Sequence, residues 1–163
     1  MGDERGLRKR AIGTVTVGQP RPGKMPAGAG DQREVDAAEI TIDAAWSEAL
    51  DGIEGFSHIW IIWWPDRVGE LTGELRVHPE GREEIPLVGI FATRSPRRPN
   101  PITMTVVRLL GCEGNRLRVR GLDACQDSPV LDIKPYLRRG DLHPEATMPV
   151  WIEELWRMHD QGK

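Results

Sequence analysis

Cysteine is scarce in this chain: Cys112 and Cys125 are the only two, and they form no C-x-x-C pair. The four histidines are dispersed, and H-E-x-x-H is absent. A disulfide framework and a structural zinc site are therefore not expected, and no residue is assigned to a metal. Long apolar runs are missing too. No stretch reaches the roughly 18 apolar residues of a membrane helix, and the charged N-terminus lacks a signal peptide's apolar core. These absences lead to the expectation of a cytoplasmic protein with reduced thiols and no membrane partner. An excess of basic charge is also lacking: the net charge is −3 and the pI about 5.8. That excludes a general nucleic-acid coat, so any RNA contact must come from a local patch. Gly28-x-Gly30 has no strand before it and no third glycine after it, which excludes a dinucleotide fingerprint.

What the chain does have is Gly, Pro and short β-branched runs. Its 163 residues suffice for one domain with a core but not for two. We read residues 1–10 as a mobile tail and 11–163 as a single domain. Strands are expected at 11–17 and 39–42, followed by a short helix at 44–50 capped by Asp43 and broken by Gly52 and Gly55. The run 56–64 is the most hydrophobic and reads as a strand buried on both faces, ended by Pro65. Further strands are expected at 70–77, 87–93, 103–110, 116–120 and 129–134, with turns at Pro79-Glu80-Gly81 and G-C-E-G-N. After Pro149, Trp151 with Leu155 and Ile152 with Trp156 stand four apart, as on an amphipathic helix. The fold class expected is all-β dominated: one small barrel of about seven strands with a short helix and a C-terminal amphipathic helix.

The segment between the strands at 87–93 and 103–110 is unusual. It carries Arg94, Arg97 and Arg98 among Pro96, Pro99 and Pro101. Prolines fix φ and restrict the residues before them, so the loop is stiff, and its guanidinium forks suit carboxylate or phosphate. A hairpin connection with solvated arginines is the competing reading. The full run G-I-F-A-T-R-S-P-R-R-P-N-P-I resembles the signature of the TrmO family, also called YaeB-like or TsaA-like. G-I-E-G-F-S-H-I-W-I before it and S-P-V-L-D-I-K-P-Y-L after it match in the same order.

The resemblance implies a dimeric β-barrel methyltransferase that uses S-adenosylmethionine on threonylcarbamoyl-modified adenosine beside the tRNA anticodon. By carry-over, the cofactor is expected against Pro26, Ala27, Gly28, His58, Ile59, Arg94, Met104 and the turn Asp123, Ala124, Cys125, Gln126 and Asp127. Of the early element only the proline matches the family. Thr103 stands where the family usually has glycine, and A-C-Q-D-S replaces a more usual glycine-bearing turn. A tryptophan-bearing helix follows D-I-K-P-Y-L where longer bacterial members have an extra region.

From the residues themselves, Asp132, Lys134 and Tyr136 alternate and share a face if the strand passes Pro135. A surface ion pair between Lys134 and Asp132 is the plainer alternative. A lone strand histidine such as His58 is commonly a satisfied core residue. Methyl transfer from a sulfonium needs mainly alignment, while an amide-like nitrogen acceptor benefits from a nearby base. Asp132, Tyr136 and His58 are the candidates for that base, left unranked. Arg97, Arg98, Asn100 and Lys134 are assigned to substrate, with tRNA as the leading partner. A small-molecule acceptor and a non-catalytic RNA-binding barrel stay open. A homodimer is expected because an exposed arginine loop needs a second wall and the amphipathic helix bears two tryptophans.

Overall fold

The computed structural model describes residues 8–19, 37–69 and 71–161. Eight strands occur among them: β1 Gly13–Val17, β2 Ala38–Ile42, β3 His58–Trp63, β4 Arg76–Val77, β5 Val88–Gly89, β6 Thr103–Glu113, β7 Arg116–Arg120 and β8 Pro129–Pro135. Two helices follow, α1 Arg138–Asp141 and α2 Val150–Asp160. The chain divides into two compact units, one from Met1–Pro20, Glu34–Asp66 and Ile102–Tyr136, the other from Arg21–Arg33, Arg67–Pro101 and Leu137–Lys163.

The first unit is a closed antiparallel barrel of six strands in the order β1-β2-β7-β6-β3-β8. The expected count of about seven was one too many for the barrel. Alternation builds it. Ile40 and Ile42 on β2, Ile59 and Ile61 on β3, Leu117 and Val119 on β7, and Val130 on β8 point inward and are almost wholly buried. Residues two apart share a face, so each strand delivers one apolar side to the interior. Each such side chain contributes about 1.5–3 kcal/mol of burial. Gly13 has the tightest place: a Cβ there would collide with the Thr41 carbonyl oxygen and stand 2.9 Å from the Ile42 Cα. β1 pairs with both β2 and β8 at that residue, and only glycine admits the β2 backbone at this distance.

Several expectations are corrected here. β3 is not buried on both faces: Ile59, Ile61 and Trp63 face inward, while His58 is exposed and Trp60 and Ile62 are half-buried. Aromatic rings can lie along a partly wetted surface, so hydrophobicity alone overstated burial. β6 runs on through Gly111, Cys112 and Glu113, because an irregularity between Leu109 and Gly111 absorbs the glycine. The turn is thereby confined to Gly114, at φ +59°, and Asn115, whose Nδ2 donates to the Ile42 carbonyl at 2.6 Å. The helix at 44–50 is a 3₁₀ helix, and Asp43 makes no side-chain cap.

In the second unit the strands expected over 70–77 and 87–93 shrink to the two-residue pair β4 and β5. Residues Ile90–Ala92 turn instead into a 3₁₀ helix. No third strand extends this sheet among the described residues, and a two-stranded ribbon has little to hold it. The amphipathic α2 forms as the spacing predicts.

Candidate active site on the barrel wall

The register of β6, β3 and β8 defines a nine-residue face on the outside of the barrel. His58 lies opposite Arg108 on one side, and its carbonyl accepts the Tyr136 N–H at 3.1 Å on the other. The next row is Val106, Trp60 and Lys134, and the third is Met104, Ile62 and Asp132. Directly opposed residues of antiparallel strands project to the same side. Five sequence-expected residues, His58, Met104, Asp132, Lys134 and Tyr136, are thus brought onto one surface from three strands. Trp60, Ile62, Val106 and Arg108 complete it. Period-two spacing from His58 could have found Trp60 and Ile62, but the β6 members depend on a pairing register that the sequence does not display.

The face is chemically graded. At one edge the Asp132 carboxylate is committed on both oxygens: Oδ1 accepts the Ile133 N–H at 2.9 Å and Oδ2 meets Lys134 Nζ at 2.6 Å. That pair is largely exposed and worth under about 1 kcal/mol. At the other edge His58 Nδ1 lies 2.9 Å from Ser57 Oγ. If Nδ1–H donates to the serine, the second ring nitrogen is an open acceptor; the reverse tautomer makes it a donor. The Tyr136 ring stands 6.4 Å from His58 edge-on and 6.1 Å from Trp60, forming an aromatic shelf between the edges. Met104 is 51% exposed, so the third row is open to solvent.

Other expected residues lie elsewhere. Ile59, adjacent in sequence to His58, points into the barrel and is fully buried, so its side chain is not on this face. The turn Asp123–Asp127 closes one end of the same unit. Two of its backbone donors are engaged within the protein: the Gln126 N–H donates to the Gln19 carbonyl at 3.2 Å and the Asp127 N–H to that of Val15 at 2.8 Å. Ala124 is buried. The Asp123 side chain is oriented through a relay, in which the Trp63 indole donates to Thr105 Oγ1 at 3.3 Å and Thr105 donates to Asp123 Oδ1 at 2.6 Å. Cys125 is half-buried. Pro26, Ala27 and Gly28 lie outside the described residues.

Arg94, Arg97, Arg98 and Asn100 belong to the second unit. There Arg98 Nη1 donates to the carbonyls of Thr93 and Ser95 at 3.0 and 3.1 Å. Its guanidinium also lies 5.7 Å above Phe91. Arg98 therefore holds the loop's own backbone, whereas Arg94, Arg97 and Asn100 are exposed. No group of acids, histidines and cysteines able to hold a metal occurs among the described residues.

A closed antiparallel barrel bearing an aromatic, ionisable sheet face defines a small all-β protein with a candidate site on its strand wall. The chain belongs to the tRNA-methyltransferase O N-terminal domain family, whose model matches residues 19–142. It is 42% identical over 130 residues to a probable S-adenosyl-L-methionine-binding protein of Methanothermobacter thermautotrophicus, covering 80% of this chain and 90% of that one. It is 41% identical over 102 residues to the human tRNA (adenine(37)-N6)-methyltransferase, covering 63% of this chain but 23% of that enzyme. A solved TrmO from Pseudomonas aeruginosa superposes with a TM-score of 0.65 at 27% identity, over 88% of this chain and 61% of that one. The chain thus spans about three-fifths of that solved protein's length.

Proposed function

We propose that this chain is an S-adenosylmethionine-dependent methyltransferase whose acceptor is the adenine nitrogen of a threonylcarbamoyl-modified adenosine beside the tRNA anticodon. Family membership supports the coarser statement, and the naming of the human relative supports tRNA as the acceptor. The observation that carries the reading is the convergence of His58, Tyr136, Met104 and Asp132 on one barrel face. The donor set there fits the cofactor: aromatic faces of Trp60 and Tyr136 attract a cation, and carboxylates suit an ammonium or ribose hydroxyls. When bound, the cofactor supplies an electrophilic methyl group on a positively charged sulfur.

The chain's own residues then have separable tasks. Trp60, Ile62 and Met104 offer an apolar bed that aligns the reacting atoms, which is where most of the acceleration arises. Among the three candidate bases, His58 is the one whose geometry is open. Ser57 orients its ring, leaving the far nitrogen to accept a proton from the acceptor nitrogen. Asp132, with both oxygens engaged, positions Lys134 instead. Asp123, aimed by Thr105, is assigned to the cofactor. The roles of Arg94, Arg97, Arg98 and Asn100 rest on the family motif alone. A homodimer is part of the same proposal.

Mass spectrometry of nucleosides from tRNA incubated with the protein and S-adenosylmethionine tests this. The expected product is a methylated threonylcarbamoyl adenosine, with His58→Asn lowering turnover about 10²–10⁴-fold. Cofactor binding without any methylated nucleoside would move the acceptor to a small molecule.

A further inference from the structure

Residues 8–10 read Arg-Lys-Arg and lead into β1. The barrel unit holds the chain just after them on two sides. The Ile12 N–H donates to the Val130 carbonyl of β8 at 2.8 Å, and the Ile12 carbonyl accepts the Asp43 N–H at 2.9 Å. The chain therefore enters the barrel between two tryptophans. The Trp64 N–H donates to the Pro129 carbonyl, next to Val130, and the Trp46 N–H donates to the Asp43 carbonyl. Each tryptophan takes one cation. Lys9 Nζ stands 3.4 Å from the centre of the Trp64 ring, and the Arg10 guanidinium 5.9 Å from that of Trp46. Both cations are exposed, and neither makes an ion pair among the described residues. Trp64 and Lys9, with Ala11, Asp66, Pro129 and Leu131, line a cleft of about 210 Å³. Asp66 already has a partner within the protein and is given no role.

We propose that Trp64 is a stacking platform for an unpaired base of the RNA substrate, and that Lys9 and Arg10 meet the phosphates flanking that base. The inference rests on the proposed tRNA reading and adds a contact away from the methyl-transfer end. Trp63 faces the interior, so Trp64 lies on the outer side with Trp60 and Ile62. At about 3.3 Å per residue it stands roughly 20 Å along the strand direction from His58. The base it takes is therefore a neighbour of the methylated one, not that base itself. The cleft suits a single ring system, being smaller than the roughly 300–1,000 Å³ that encloses a drug-sized ligand. Its present occupant is replaceable. A base stacks on an indole more strongly than an exposed cation holds the same face, and the displaced ammonium gains a phosphate in exchange. Cations set between flat aromatic faces match the alternation of phosphates and bases along a single strand. In a chain of net charge −3, a local basic segment of this kind is what draws RNA in.

The test is tRNA affinity against salt for the full chain, Trp64→Leu, Trp64→Phe and Lys9→Gln/Arg10→Gln, with S-adenosylmethionine affinity measured on each. Trp64→Leu is expected to bind tRNA about tenfold more weakly with an unchanged salt slope, since it removes a stack and no charge. Trp64→Phe keeps a ring and should recover most of that loss, which separates stacking from folding. Lys9→Gln/Arg10→Gln should flatten the log–log salt slope by about 0.7 for each cation, the value for single strands. S-adenosylmethionine affinity should be the same in all four proteins. Unchanged tRNA affinity in Trp64→Leu, a Trp64→Phe as weak as Trp64→Leu, or an unchanged slope in the glutamine variant would each overturn the inference while leaving tRNA methylation standing. A matching loss of S-adenosylmethionine affinity in Trp64→Leu would place Trp64 at the cofactor and also overturn it. A parent chain that binds no RNA would remove both readings, whereas RNA binding that depends on Trp64 without methyl transfer would remove only the proposed function.

Discussion

The barrel and the second unit are stabilised by different means. In the barrel, period-two strands bury Ile40, Ile61, Leu117 and their neighbours almost completely, and a closed ladder satisfies the backbone. The second unit has two-residue strands, 3₁₀ turns and few buried side chains among the described residues, chiefly Pro79, Ile85 and Ile90. Phe91 is 75% and Val150 78% exposed there. What orders it locally is polar: Arg98 on the Thr93 and Ser95 carbonyls, Thr93 Oγ1 on the Ile90 carbonyl at 2.8 Å, and His159 Nε2 2.6 Å from Glu80. Burial is non-directional and large, while such hydrogen bonds are directional and individually small. The barrel can therefore carry a precise register, and the second unit a stiff loop whose exposed arginines need no core beneath them.

Substitutions in the two units should separate these mechanisms. The largest effect is expected from Ile61→Ala in the barrel, about 2–5 kcal/mol of stability in urea unfolding, because it leaves a cavity in a closed interior. Calorimetry on the same variant sharpens the comparison: if residues 11–163 are one domain, as we propose, a single peak moves, whereas two units folding separately leave one transition in place. Arg98→Ala should cost about 1 kcal/mol, seen as faster amide exchange confined to the arginine loop. His159→Gln should cost least, under about 1 kcal/mol, since the glutamine amide can still donate to Glu80; a loss as large as that of Ile61→Ala would show that the second unit depends on a charge pair there.

Burial in the barrel unit also acts on one of its thiols. Burial pushes the Cys112 thiol up, with the Glu54 carboxylate adding to the shift. Cys112 therefore holds less thiolate at neutral pH than an exposed cysteine.

How much could be read from the residues varies by element. β7 was legible because Arg116, Leu117, Arg118, Val119 and Arg120 alternate charge with apolarity. α2 was legible from the four-residue spacing of Trp151 with Leu155 and Ile152 with Trp156, and β8 from P-V-L-D-I-K-P. The 87–93 strand was misread since Ile90 and Phe91 are equally at home in a turn when no third strand among the described residues extends the sheet. The partners of the Gln126 and Asp127 donors could not be read locally because their acceptors, Gln19 and Val15, are more than a hundred residues away in the chain. For the site, the histidine strand and the D-I-K-P-Y-L strand could be named, but not the face they share.

Side-chain chemistry and local period by themselves determined where the main barrel strands run, and which residues can accept a proton or meet an anion. The tertiary structure alone decided who stands opposite whom. Register is fixed by closure of six strands into a ring and by the bulges within it, and those are properties of pairs of strands far apart in sequence. His58 beside Arg108, Met104 beside Asp132's row, and Arg120 against Arg108 are consequences of that closure.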